Sequence, residues 1–175
     1  EKSFFAGFGG QGIISLGQIW VYLAMEEGKN VTFFPFYGAE KRGGIARAGV
    51  IVSDEEIASP LVTTPDSVLV MNQDSLALCE KIVKPDGLML VNSTLVKTDP
   101  ERKDIRLVKV DAQAIAEKIG DAKIANMVAL GALAKLTGAL KLSDTERILK
   151  KFFPETKHKF IPMNLEAIQA GFKAV

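Results

Sequence analysis

"FFAGFGGQGIISLGQIW", residues 4–20, is the stretch from which the fold is read. Residues 3–7 are apolar enough for a short buried strand. From 11 to 27 the apolar residues Ile13, Ile14, Leu16, Ile19, Trp20 and Leu23 recur nearly all round a helix, which then packs on more than one side. Between the two, Gly7, Gly9 and Gly12 stand at G-x-G-x-x-G spacing, with Gly10 and Gln11 inside it. A strand, a glycine turn and a helix N-terminus in this order offer free amides and the positive end of a helix dipole to an anion. In such a loop Gly7 would make the tight turn, Gly9 would admit a ligand closely, and Gly12 would let the helix pack on the strand. The same spacing also occurs in turns that hold nothing, and the loop alone leaves both readings open.

Outward from this unit, residues 31–36 read as a second strand, with Pro35 hinting at an edge position. Residues 45–53 read as a third. About seven residues join these two, too few for the helical crossover that parallel neighbours need, so an antiparallel pair is expected. The continuous apolar run 67–72 suits a central strand buried on both faces, and 87–92 and 105–110 read as further buried strands. A helix at 74–83 places Leu76, Cys79, Ile82 and Val83 on one face, and Asp111 caps a helix over 112–119. In the helix at 126–138, Gly131 and several alanines let another element approach closely. Ser143 and Glu146 form a capping box for a helix that stops before Pro154, and a last helix is expected to begin with Asn164 as its cap and end near Phe172. Residues 1–175 therefore read as a single α/β domain. Its architecture is three-layer and Rossmann-like: a mixed, mostly parallel sheet flanked by helices, with a helical C-terminal third.

Composition narrows the chemistry. At 175 residues, 47% hydrophobic and 25% charged, the chain suits one domain with a real core. With 22 basic against 21 acidic residues and no basic stripe, nucleic acid is not an expected partner. No apolar stretch approaches the roughly 20 residues that span a bilayer, so no membrane partner is expected. No signal peptide is read at the N-terminus, which begins at Glu1 without a Met. The one cysteine, Cys79, excludes an internal disulfide and fits the reducing cytoplasm. It also excludes an iron–sulfur cluster held by this chain alone, since such clusters usually take four Cys ligands. Cys79 shares its apolar face with Leu76 and Ile82 and reads as a buried, inert thiol. His158 is the only histidine and, in the charged run KHKF, reads as a surface residue with no obvious partner. Neither a G-x-S-x-G elbow nor an H-E-x-x-H metal spacing occurs, and no catalytic residue is expected.

A nicotinamide reading of the glycine loop expects an acid about 20 positions on, at the end of the second strand, to bind the ribose hydroxyls. That strand ends in Phe34-Pro35-Phe36-Tyr37, and a Walker phosphate loop is also absent. A second glycine cluster, "FYGAEKRGGIARAG" at 36–49, is more distinctive. Gly38, Gly43 and Gly44 frame Glu40, Lys41 and Arg42. The loop leaves the C-terminal end of strand two as the first leaves that of strand one, so both are expected on one edge of the sheet, where α/β proteins bind ligands. Arg42 suits a bidentate contact to phosphate or carboxylate with Glu40 orienting it. Lys41 and Arg47 add positive charge, and Phe34, Phe36 and Tyr37 suit an adenine face or a subunit interface.

These residues together resemble the gamma subunits, or gamma domains, of 2-oxoacid:ferredoxin oxidoreductases. The likeness rests on "GFGGQGI" opening the first helix, "YGAEKRGGIARAGVIVSDEEIASP" at 37–60, the buried strand before Asp74, "NMVALGAL" at 126–133, and Asn164 and Gly171 in the tail. It covers essentially the whole chain. Where that family's loop often carries proline and methionine, this one has Ala39 and Lys41, with Glu40, Arg42, Gly43 and Gly44 kept. The resemblance implies a larger enzyme that oxidatively decarboxylates a 2-oxoacid to its acyl-coenzyme A and passes electrons to ferredoxin. Thiamine diphosphate with magnesium and the iron–sulfur clusters would sit on alpha, beta and ferredoxin-like delta partners, and this chain would help enclose coenzyme A. The loop type is closer to the 2-oxoglutarate and branched-chain enzymes than to the pyruvate ones. Two alternatives stay open on the residues: a free-standing NAD(P)- or FAD-dependent oxidoreductase, and a non-enzymatic protein binding acyl-coenzyme A or a nucleotide.

Overall fold

The computed structural model describes residues 1–37 and 44–175, with the backbone alone at Tyr37. The apolar run after Lys2 forms β1 (Lys2–Phe8), whose five central residues are all buried. β2 (Asn30–Tyr37) and β3 (Ile45–Ser53) pair antiparallel, as their short connection dictates, and β3 pairs antiparallel with β1. β1 then runs parallel to β4 (Ser67–Val70), β4 to β5 (Leu88–Asn92) and β5 to β6 (Arg106–Val110). The spatial order is β2-β3-β1-β4-β5-β6, a mixed and mostly parallel sheet. Pro35 lies on the edge strand β2, where a missing ladder donor costs nothing on the outer side. β6 is the opposite edge, and its Arg106 and Lys109 are exposed, so 105–110 is not the buried strand its apolar letters suggested.

One face of the sheet carries α1 (Ile13–Glu26), α3 (Ala112–Ile119), α4 (Ala125–Thr137), α5 (Thr145–Phe152) and α6 (Ile161–Lys173) around a core that includes Phe5, Trp20, Leu69 and Leu90. Trp20 meets Phe5 edge-on, with ring centroids 6.2 Å apart. The other face carries α2 (Leu76–Ile82), which closes a smaller core of Val68, Val70, Cys79 and Met89. Alternation along each strand sends successive side chains to these two layers. Among the described residues, no helix is long and apolar enough to cross a membrane.

Three local expectations change. The capping box does not form: α5 starts at Thr145, Ser143 donates its hydroxyl to the Asp144 carboxylate, and Glu146 pairs with Lys150 one turn on at 2.6 Å. The i,i+4 ion pair takes the carboxylate that the box required. α6 begins at Ile161, after a 3-10 turn over Glu155–Phe160, with Pro162 in its first turn. Proline's fixed φ favours that position, so Asn164 lies inside the helix and donates to the Phe160 carbonyl at 2.7 Å. His158 is half-buried, not a partnerless surface residue; its Nε2 lies 2.9 Å from the Phe153 carbonyl and 3.0 Å from that of Lys150, at the end of α5. The remaining caps follow the sequence: the Asp111 carboxylate accepts from the Ala114 amide at 3.4 Å to start α3.

Candidate functional site: the glycine rim

β1 and β2 are each antiparallel to β3, so they point the same way and end on the same edge of the sheet. The loops that leave them meet there: the Gly9 amide donates to the Gly44 carbonyl at 2.8 Å. β4 ends on the same edge beside β1. The chain leaves β1 for the α1 face and leaves β4 for the α2 face, which makes the boundary of β1 and β4 the point where crossover direction reverses. In α/β sheets such a reversal opens a crevice beyond the strand ends.

Within the first loop the glycines do other work than their spacing suggested. Gly7 lies in the strand opposite Ala46 and makes no turn. A Cβ on it would fall 2.6 Å from Gln11 Oε1 and 2.8 Å from Ile13 Cδ1. The turn is made by Gly10 (φ 100°) and Gly12 (φ 73°), both in the left-handed region that favours glycine. Gly12 also sits against α4, not against its own strand: a Cβ there would lie 2.4 Å from Asn126 Nδ2, which donates to the Gly12 carbonyl at 3.2 Å. Gln11 fixes the loop to the neighbouring strand end. Its Oε1 accepts from the Phe8 amide at 2.6 Å, and its Nε2 donates to the Met71 carbonyl at 3.1 Å.

The result is a bare helix end. No side chain caps α1, and its first turn holds no acidic residue. Among the described residues the amides of Ile13, Ile14 and Ser15 have no acceptor, whereas the Gly9 amide is spent on the junction with Gly44. Three aligned amides with the dipole behind them are the arrangement in which helix N-termini can seat an anion. At the end of β4, Asn72 is 1% exposed and, among the described residues, neither polar atom of its side-chain amide has a partner; the buried Ser75 hydroxyl has none there either. Orphaned polar atoms are costly in an interior, so the rim holds unspent hydrogen-bonding capacity beside the seat.

Of the second cluster, Tyr37 ends β2 with its backbone opposite Ala46, and Gly44 makes the junction. Gly38, Glu40, Lys41, Arg42 and Gly43 lie outside the described residues. Arg47 does not join the α1 amides. It sits on β3 opposite Ala6 and Phe36, on the sheet face away from α1, with a buried Nε that has no partner among the described residues. Cys79 is fully buried; burial pushes its thiol up to about 12, with the charge of Arg47 opposing, so it stays protonated and inert.

Asn126 was missed as a rim residue by motif reading. Its signal was present: a single polar side chain in a helix otherwise buried from Ala125 to Ala134. Asn72 carried no pattern beyond ending a strand.

Relatives of the chain share this frame. It is 40% identical over 168 residues to the ketoisovalerate oxidoreductase subunit VorA of Methanothermobacter thermautotrophicus, covering 95% of this chain and 34% of that protein. The chain thus spans about one third of that relative's length. To the 2-oxoglutarate synthase subunit KorC of Methanothermobacter marburgensis it is 35% identical over 174 residues, covering 95% of this chain and 91% of that one. The solved gamma subunit of a keto/oxoacid ferredoxin oxidoreductase from Geobacter sulfurreducens superposes with a TM-score of 0.84 at 31% identity, over 99% of this chain and 96% of that one. The pattern of one family runs from residue 2 to residue 174, and with it the chain belongs to the pyruvate ferredoxin/flavodoxin oxidoreductase family.

Proposed function

We propose that the chain is the gamma-type subunit, or gamma-type domain, of a cytoplasmic 2-oxoacid:ferredoxin oxidoreductase acting on 2-oxoglutarate or a branched-chain 2-oxoacid. The holoenzyme decarboxylates the 2-oxoacid, transfers the acyl group to coenzyme A and delivers two electrons to ferredoxin. Alpha and beta subunits, and a ferredoxin-like delta subunit, carry thiamine diphosphate, magnesium and the iron–sulfur clusters. This chain supplies no catalytic side chain; it seats a phosphate of coenzyme A on the α1 amides, with Arg42 and Lys41 adding charge. The observation that carries the reading is the uncapped N-terminus of α1 at the junction of two glycine loops, Gly9 to Gly44 at 2.8 Å. The ketoisovalerate and 2-oxoglutarate names of its relatives support the substrate class. A free-standing nicotinamide enzyme fits less well, because β2 ends in Phe34-Pro35-Phe36-Tyr37 with no acid to hold a ribose.

The test is Arg42→Ala in the assembled enzyme. A charge-assisted contact of about 1.5–3 kcal/mol predicts a KM for coenzyme A raised roughly ten- to hundredfold, with assembly intact. An unchanged KM would take coenzyme A away from this loop. A chain that never associates with alpha and beta partners, while they reconstitute full activity without it, would remove the subunit reading altogether.

A further inference from the structure

The face of β2 and β3 turned away from α1 is only partly covered by the described residues, with Val62 packed on Gly49. Phe33 of β2 points to α1, where its ring crowds Gly17, so alternation sends Phe34 and Phe36 to the other side. There their rings meet at a tilt of 52° with centroids 4.7 Å apart, yet remain 36% and 40% exposed. Phe8 ends β1 on the same side as Phe4 and Ala6 and is 38% exposed. Leu61, from the segment that leads Val62 onto Gly49, is 50% exposed. Between them Arg47 lies opposite Phe36, its buried Nε lacking an acceptor among the described residues. Clustered aromatics around an arginine are the composition of an interface core. Among the described residues nothing accepts from this buried Nε, and such a donor favours a site where an oxygen meets it.

What covers this face is indicated by the relatives. The module makes up 91% of the KorC chain and 96% of the Geobacter gamma subunit, but 34% of VorA. A unit that stands alone in some relatives and is joined to more polypeptide in others needs a contact surface that serves both arrangements. We infer that the Phe34–Phe36 face is that surface. It docks an apolar segment of the remaining oxidoreductase polypeptide, which presents a carboxylate or carbonyl oxygen to Arg47. The inference rests on the subunit reading above and adds the face by which the subunit is held. It leaves the rim free, since the patch lies on the flat of the sheet while α1 points its amides over the edge.

Co-expression of the tagged chain with the alpha and beta subunits tests it. Phe34→Ser/Phe36→Ser is expected to retain partners at least roughly tenfold less well than the wild type, as loss of paired hot-spot aromatics does. Phe160→Ser, which alters a 44% exposed aromatic on the 3-10 turn before α6, is expected to retain them fully. To separate docking from folding of the double variant, a second measurement places a photoreactive benzoylphenylalanine at Phe36 in the assembled enzyme. Irradiation is expected to join it covalently to a partner polypeptide. Full retention by the double variant, a crosslink confined to this chain, or a crosslink abolished by coenzyme A alone overturns the inference. If the wild-type chain itself retains no partner, the subunit reading falls and this inference with it.

Discussion

Two pairs of glycines show how differently the same residue is used. Gly131 on α4 and Gly171 on α6 face each other's backbones. A Cβ on Gly131 would land 1.9 Å from the Ile168 carbonyl oxygen, and one on Gly171 would land 1.9 Å from that of Val128. Among the described residues, a Cβ on Gly10 at the rim would meet nothing within 4 Å, and one on Gly9 only the Gly44 carbonyl, at 3.4 Å. In the first pair the absent side chain is filled by another helix of the same chain. In the second the space stays open at the edge where strand ends meet a bare helix N-terminus. A glycine whose missing Cβ is occupied from within serves packing; one left open at the edge where α/β sheets commonly bind ligands leaves room for something from outside.

The comparison can be broken most severely at α4. Gly131→Ala must push the α4 and α6 backbones apart, at about 3 kcal/mol or more, offset by about 1 kcal/mol of better helix propensity. Thermal unfolding should show the midpoint falling by roughly 5–10 °C. An unchanged midpoint would mean that the helices part freely and that the packing argument is wrong. Gly12 stands between the two classes, since it carries a left-handed φ and also abuts Asn126. Gly12→Ala should cost about 2 kcal/mol, backbone strain and steric contact together. Asn126→Ala removes the contact and leaves the strain, so the double variant should be less destabilised than the sum of the single ones. Strict additivity in that cycle would show that Asn126 does not brace the loop.

Much of this architecture was legible in the letters, because burial on two faces leaves a simple pattern. The runs 67–72, read as a central strand, and 87–92, read as a further buried one, are buried throughout and contain β4 and β5, and the short link after Tyr37 required antiparallel pairing. Gly131 was readable as a close-approach residue, although its partner α6 was not. The failures share a cause: two local signals competed and the sequence did not rank them. Ser143 and Glu146 matched a capping box, but Lys150 was also within reach of Glu146 and took it. Asn164 matched a cap, but Pro162 two residues earlier fixed the start of the turn. In the first loop the motif assigned the turn to Gly7, whereas Gly7 completes the strand and Gly10 and Gly12 carry the positive φ. Spacing gives the presence of a loop; only the path of the backbone gives each glycine its task. The contribution of Asn126 depends on α4 meeting the start of α1 across 114 residues of chain, a distance at which no local pattern operates.

The finest cut is made at Gly10, with Gly28 as its matched control. Both have a left-handed φ, 100° and 72°, and among the described residues neither has an atom within 4 Å of the position a Cβ would take. Gly28 follows α1 on its way to β2 and so lies at the opposite edge of the sheet from the rim. Alanine at either position pays only the left-handed penalty of about 1–2 kcal/mol, and the two variants should lose a similar few degrees of thermal midpoint. They should part in the assembled enzyme. The methyl of Gly10→Ala enters the space beside the α1 amides and should raise the KM for coenzyme A several-fold, while Gly28→Ala should leave it unchanged. Equal KM values for the two would show that the open space at Gly10 is only that of a surface turn, and the difference between filled and open glycines would then carry no functional meaning in this fold.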